Sequence, residues 1–101
     1  MMRQLAGSVA LVALGFATSG CGLVYAVKAN GASGSIEEAR VLGAAETAQY
    51  EYYMAKEHLL KAQEEAAQAN YGDAIKFADV AEEKAQEAIS LARDTHREAG
   101  R

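Results

Sequence analysis

The chain has 101 residues, a formal charge of −4, one Cys, no Pro and no Trp. That length allows one small domain. The acidic balance excludes the basic face that nucleic-acid binding needs and offers anionic headgroups no attraction; a lone cysteine excludes an internal disulfide.

Residues 1–20 read as a targeting segment. Met1-Met2-Arg3-Gln4 is a short basic start, Leu5 to Phe16 is apolar or small, and Thr18-Ser19-Gly20 places small residues before Cys21. This is the three-part order of a secretory signal. The alternative is an uncleaved inner-membrane helix, because no charge interrupts Gln4 to Val27 and about 20 apolar residues span a bilayer. The polar, Gly-broken patch Thr18–Gly22 argues against it. Either reading leaves the rest of the chain outside the cytoplasm and attached to a membrane.

Thr18-Ser19-Gly20-Cys21 resembles the lipobox of bacterial lipoproteins, with Thr18 where Leu is usual. The resemblance implies cleavage before Cys21, diacylglycerol on its thiol and an acyl group such as palmitate on its amine. Gly22, where an Asp would favour inner-membrane retention, implies delivery to the periplasmic face of the outer membrane.

Residues 21–35 read as a lipidated cysteine and flexible tether, since Asn30-Gly31-Ala32-Ser33-Gly34-Ser35 has linker composition. A helical domain follows at 36–98, with helices over about 36–70 and 73–97. Ser35 with Glu38 forms a capping box for the first helix. Gly43 interrupts it only mildly. Gly72 supplies the left-handed stop and Asp73 caps the second helix.

Two seams run through this domain. Val41, Ala45, Ala48, Tyr52, Ala55, Leu59, Ala62, Ala66 and Ala69 recur in alternating steps of four and three; Ala74, Ala78, Ala81, Ala85, Ala88 and Ala92 do the same. Such spacing places one small-residue stripe on each supercoiled helix. Folding back at Gly72 pairs Ala66 with Ala78, Leu59 with Ala85 and Tyr52 with Ala92, and sets His58 opposite about position 86. The expected fold is all-α: a long antiparallel two-helix hairpin with an alanine-seam coiled coil. Residues 36–46 would overhang the shorter second helix.

So small a core calls for support. Tyr50, Tyr53, Met54 and Phe77 lie off the seam and are the candidate partner-binding residues, facing a second copy or another envelope protein. No catalytic, cofactor or metal site is read from the chain. His58 and His96 lack the Glu-x-x-His spacing of di-iron bundles, and Glu64-Glu65 and Glu82-Glu83 point about 100° apart on a helix.

Residues 50–62 and the Tyr71-Gly72-Asp73-Ala74-Ile75 turn resemble a family of small bacterial lipoproteins whose shared helical hairpin has no assigned function; some relatives carry it ahead of an OmpA-like domain. The turn also resembles that of a tetratricopeptide repeat, present once. The plan is similar to that of murein lipoproteins, without their terminal lysine. These resemblances imply an envelope location and no particular reaction. The function expected from the chain as a whole is a non-enzymatic, membrane-anchored envelope lipoprotein with a structural or adaptor role, without nucleic-acid or small-molecule partners; the alternative is an accessory module docking on an envelope complex or a peptidoglycan-associated protein.

Overall fold

The computed structural model describes residues 2–100, with side chains from Gly20 to Gly100. The targeting segment read at 1–20 therefore lies, apart from Gly20 and the backbone course, outside the described residues. Four helices follow one another: α1 (Met2–Val41), α2 (Ala44–Thr47), α3 (Gln49–Ala67) and α4 (Tyr71–Ala99). No strand occurs among the described residues. The body is elongated, 76 × 23 × 14 Å.

α4 is the common partner. Its alanines Ala74, Ala78, Ala81, Ala85, Ala88 and Ala92 are all buried. On α3 the seam residues Tyr52, Ala55 and Ala62 are buried too. Alanine lets helix axes approach toward the lower end of the usual 8–10 Å. The core cluster joins Tyr52, Ala55, Ala85, Ala88, Ile89 and Ala92 with Ile36 and Ala39 of α1. Few large groups are buried here, and each contributes about 1.5–3 kcal/mol. α1 supplies part of what the α3–α4 pair lacks.

That third helix corrects the tether. Residues 22–35, expected to be flexible, continue α1 and bury Ala32 and Ser35. α1 runs parallel to α4, because its contacts ascend together. Lys28 Nζ lies 2.7 Å from Asp79 Oδ1, Arg93 Nη2 lies 2.7 Å from Glu38 Oε1, and His96 Nε2 donates to the Leu42 carbonyl at 2.8 Å. Both ion pairs are exposed and contribute about 0–1 kcal/mol each. Burial does more. Tyr25, Ala29, Ala32, Ile36 and Ala39 recur in steps of four and three, a third seam that Gly31 and Gly34 obscure. Two helical glycines cost about 1 kcal/mol each relative to Ala, and packing along the seam outweighs that. The expected two-helix hairpin is thus a partial account, and residues 36–41 are packed along α4 rather than overhanging.

The continuous helix expected over 36–70 is also corrected. It breaks at Leu42–Gly43 and again at Ala48. Gly43 takes the left-handed conformation at φ 83°, and Ala48 sits at φ −142°, ψ 54°. The cause is a phase mismatch. Extended at the same stride beyond Ala39, the α1 seam would fall on Gly43, Glu46, Tyr50 and Tyr53. Extended backwards, the α3 seam falls on Val41, which is 70% exposed. One straight rod cannot bury both stripes on one side, so the chain reverses between them.

The α3–α4 turn lies three residues before the expected one. Ala69, not Gly72, is left-handed (φ 60°). Asn70 N–H donates to the Glu65 carbonyl and Ala69 N–H to the Ala66 carbonyl, both at 2.9 Å. That pair of bonds is a Schellman closure with alanine where glycine is usual. Gly72 and Asp73 lie in the first turn of α4. The earlier turn shifts the register: His58, expected opposite about position 86, lies beside Phe77, ring centroids 6.2 Å apart. Ser35 is likewise no cap. It lies inside α1, and its hydroxyl donates to Glu82 Oε1 at 2.9 Å.

Candidate functional site

Two features carry the residues singled out by the sequence. The first is Cys21, a free and exposed cysteine on α1. One residue later the packing begins. A Cβ placed on Gly22 would stand 3.5 Å from the Tyr71 ring, whereas one on Gly20 would meet nothing within 4 Å. Tyr25 adds an aromatic contact to Tyr71, with ring centroids 6.3 Å apart. Among the described residues, packing of α1 against α4 therefore begins just after Cys21. The Leu23, Val24 and Val27 side chains just beyond it are exposed.

The second is the outer face of α3. Tyr50, Tyr53 and Met54 come together there, lining an open groove of about 390 Å³ with Gln49 and Glu57. Their spacing of three and four places them on one helical stripe, opposite the alanine seam. Tyr50 is 65% exposed and Tyr53 49%. Tyr53 packs edge-on against buried Tyr52 at 5.1 Å between centroids, and the Lys56 ammonium lies 5.5 Å and 5.8 Å from the two ring centres. Tyr53 is thus held from beneath while its outer surface stays open. Phe77 is not part of this groove. It is half-buried on α4 and lines a neighbouring depression with Glu57, His58 and Lys61. Glu57 borders both, so the four residues form an interrupted strip. The His58 ring is fixed by its Nδ1, which donates to the Met54 carbonyl at 2.7 Å.

Sequence reasoning missed a polar cluster between α1 and α4. Ser35 Oγ and Gln86 Nε2 both donate to Glu82 Oε1, and Gln86 Nε2 also reaches Ser35 Oγ. Glu82 Oε2 is buried without a hydrogen-bond partner. Only the third seam could have revealed this cluster, because Ser35 faces α4 once residues 22–41 are helical. A wide groove further along α4 is lined by Gln86, Ile89, Ser90, Arg93, His96 and Arg97. Its cations are already engaged: Arg93 with Glu38, and Arg97 with Asp94.

Two ion pairs on the helix surfaces shift the titration of their members. The Arg40 hydrogen bond holds the Glu37 carboxyl below its ordinary value and raises Arg40 in turn. The Glu87 hydrogen bond raises Lys84. Among the described residues, no three His, Cys, Asp or Glu side chains converge as metal ligands, and no helix is long and apolar enough to cross a membrane. What the arrangement offers is surface: an exposed thiol at one edge and a rigidly backed aromatic strip on α3. No family model, curated protein or solved structure matches the chain.

Proposed function

We propose that this chain is a non-catalytic lipoprotein of the cell envelope, anchored through Cys21 and acting as a structural or adaptor module. The observation that carries this reading is where Cys21 stands. It follows an uncharged segment and three small residues, it is exposed, and the first described packing contact begins at Gly22. The thiol is open to a lipid-transferring enzyme. A diacylglycerol chain contributes about 0.8 kcal/mol per buried CH₂, and two signals together make anchoring stable. We read α3 with α4 as an antiparallel alanine-seam coiled coil, stiffened by α1, that holds its aromatic face at a fixed distance from the anchor.

The test is metabolic labelling with a clickable palmitate analogue in a Gram-negative host. Labelled chain shortened to begin at Cys21, and loss of label in Cys21→Ser, are the expected results. An unlabelled chain that still carries Met1 refutes the reading.

A second reading is favoured by the exposure of Tyr50 and Tyr53 over a firm base: an accessory module docking on an envelope protein through Tyr50, Tyr53, Met54 and Phe77. Aromatic anchors of this type commonly contribute 2 kcal/mol or more each at interfaces. Crosslinking with mass spectrometry in native envelopes tests it. Crosslinks from Lys56 or Lys61 to one recurrent partner, lost in Tyr53→Ala, are expected; unchanged crosslinks in that variant refute it.

A further inference from the structure

The helices of this molecule pack through seams that repeat in steps of four and three, and α1 carries a second one. Its inner seam, from Tyr25 to Ala39, meets the bundle. On the opposite side Leu23, Val27, Asn30 and Gly34 recur in the same steps, and all four are exposed. Leu23 is 67% exposed and Val27 66%; Val41, one heptad beyond Gly34, is 70% exposed. A Cβ on Gly34 would meet nothing within 4 Å, so a neighbouring helix is free to come close there. A stripe of this stride matches a second helix laid alongside.

Charge selects the partner. Two copies anchored through Cys21 hang from the same membrane, so a two-fold pair sets their rods side by side and parallel. Each residue on the shared line then faces its own copy, and any charge there meets a like charge, which disfavours the pair. The strip on α3 fails this condition, because Glu57 and Lys61 lie among its apolar groups. The outer face of α4 fails it with exposed Lys76 and Glu83. The outer face of α1 meets it. Residues 20–36 hold a single Asp, Glu, Lys or Arg, which is Lys28, and its ammonium is turned to α4, 2.7 Å from Asp79. Glu37, the next charge on the line, is engaged by Arg40 of its own helix at 2.6 Å. Asn30 is the one polar side chain between Leu23 and Gly34 on the stripe. An asparagine that meets its copy in a parallel seam fixes register and strand number.

We infer that two copies of this chain pair in parallel through the outer face of α1, along Leu23, Val27, Asn30 and Gly34, on the membrane that anchors them. The seam is narrow. From Leu23 to Val41 it rises roughly 27 Å and is about one helix, 10 Å, wide, well short of the ~800 Å² per partner of a stable soluble complex. Confinement to one membrane compensates by raising the effective concentration of each copy around the other. The inference rests on the lipid attachment proposed above and adds the partner that α1 meets there.

The full chain is expressed in a Gram-negative host with a second cysteine at one α1 position. Val27→Cys and Gly34→Cys lie on the stripe; Ser33→Cys is equally exposed but turned about 100° from position 34. Lipid consumes the Cys21 thiol, so a disulfide-linked dimer on a non-reducing gel reports the new position, where bridged Cα atoms must lie within about 7 Å. Clickable palmitate in the same gel reports the anchor. We expect labelled dimer at 27 and 34 at least fivefold above that at 33. Adding Val27→Glu, which sets a charge against its copy, should abolish the dimer at 34 while circular dichroism stays unchanged. Labelled chain with equal dimer at 33 and 34, with no dimer at any position, or with a disulfide to a protein of another size overturns the inference and leaves the anchor intact. Dimer that persists in folded Val27→Glu chain does the same. Chain without label overturns the anchor and the inference with it.

Discussion

The α3–α4 turn gives a test in which sign matters more than size. Ala69 holds a left-handed conformation at φ 60°, which costs an L-residue about 1–2 kcal/mol. Ala69→Gly removes that cost. It also gives the unfolded chain more freedom, worth about 0.5–1 kcal/mol against the fold. The balance is a stabilisation of about 0.5–1 kcal/mol. Gly72, by contrast, is helical, and a Cβ there would meet nothing within 4 Å. Gly72→Ala should therefore also stabilise, by about 0.4–1 kcal/mol. If Gly72 were the left-handed residue, as its place in the sequence suggests, the same change would destabilise by about 1–2 kcal/mol. Urea unfolding followed by helical circular dichroism reads both. With a slope of about 1 kcal/mol/M for a small domain, each variant should raise the midpoint by roughly 0.5–1 M at unchanged slope. A lower midpoint for Gly72→Ala, with Ala69→Gly neutral or worse, refutes the turn and the register built on it.

Other expectations follow from the same packing. Gly31→Ala with Gly34→Ala should raise stability by about 1 kcal/mol per site, since both are helical with open space around them; an unchanged urea midpoint would mean that this segment is not folded. Tyr52→Ala should cost about 3 kcal/mol, as for a buried aromatic, while Tyr50→Ala should stay within about 0.5 kcal/mol; thermal unfolding of the pair separates core from surface. Arg40→Ala should return the Glu37 carboxyl to its ordinary titration range, because the Arg40 hydrogen bond lowers it. A lowered carboxyl stabilises the fold above its unfolded pKa, and that gain is lost as the pH falls through the folded value. Carbon-detected NMR of Glu37 in both proteins checks the direction, and an unshifted Glu37 would refute the pair.

The alanine stripes on α3 and α4 were legible because heptad spacing acts over many residues and survives local errors. Every alanine of the second seam is buried. The turn between them was less so. Glycine is the strongest single-residue signal for a left-handed stop, and here it stands three residues too late. The Schellman hydrogen bonds at Glu65 and Ala66 fix the stop wherever the helix packing requires it, and alanine tolerates the position at a modest cost. Local chemistry pointed to Gly72 and tertiary packing chose Ala69.

α1 is hard to read from the sequence for a related reason: Asn30 to Ser35 has the composition of a linker, which obscures the helical spacing. Yet small residues have two uses: they loosen an isolated chain, and they let a packed helix come close. Gly31 and Gly34 lie on the side of α1 with open space around them, while Ala32, Ile36 and Ala39 form the side that meets the core. Five positions at the stride already recognised in α3 and α4 would have identified the helix. The same comparison accounts for the exposed tyrosines. Tyr50 and Tyr53 fall where the α1 seam would continue if the chain did not break, so they end on the outside of α3 when Gly43 and Ala48 turn the helix back. The aromatic face is thus a consequence of two seams out of phase. Restoring the phase by inserting or deleting residues between Ala39 and Ala45 should extend the helix and remove the face together.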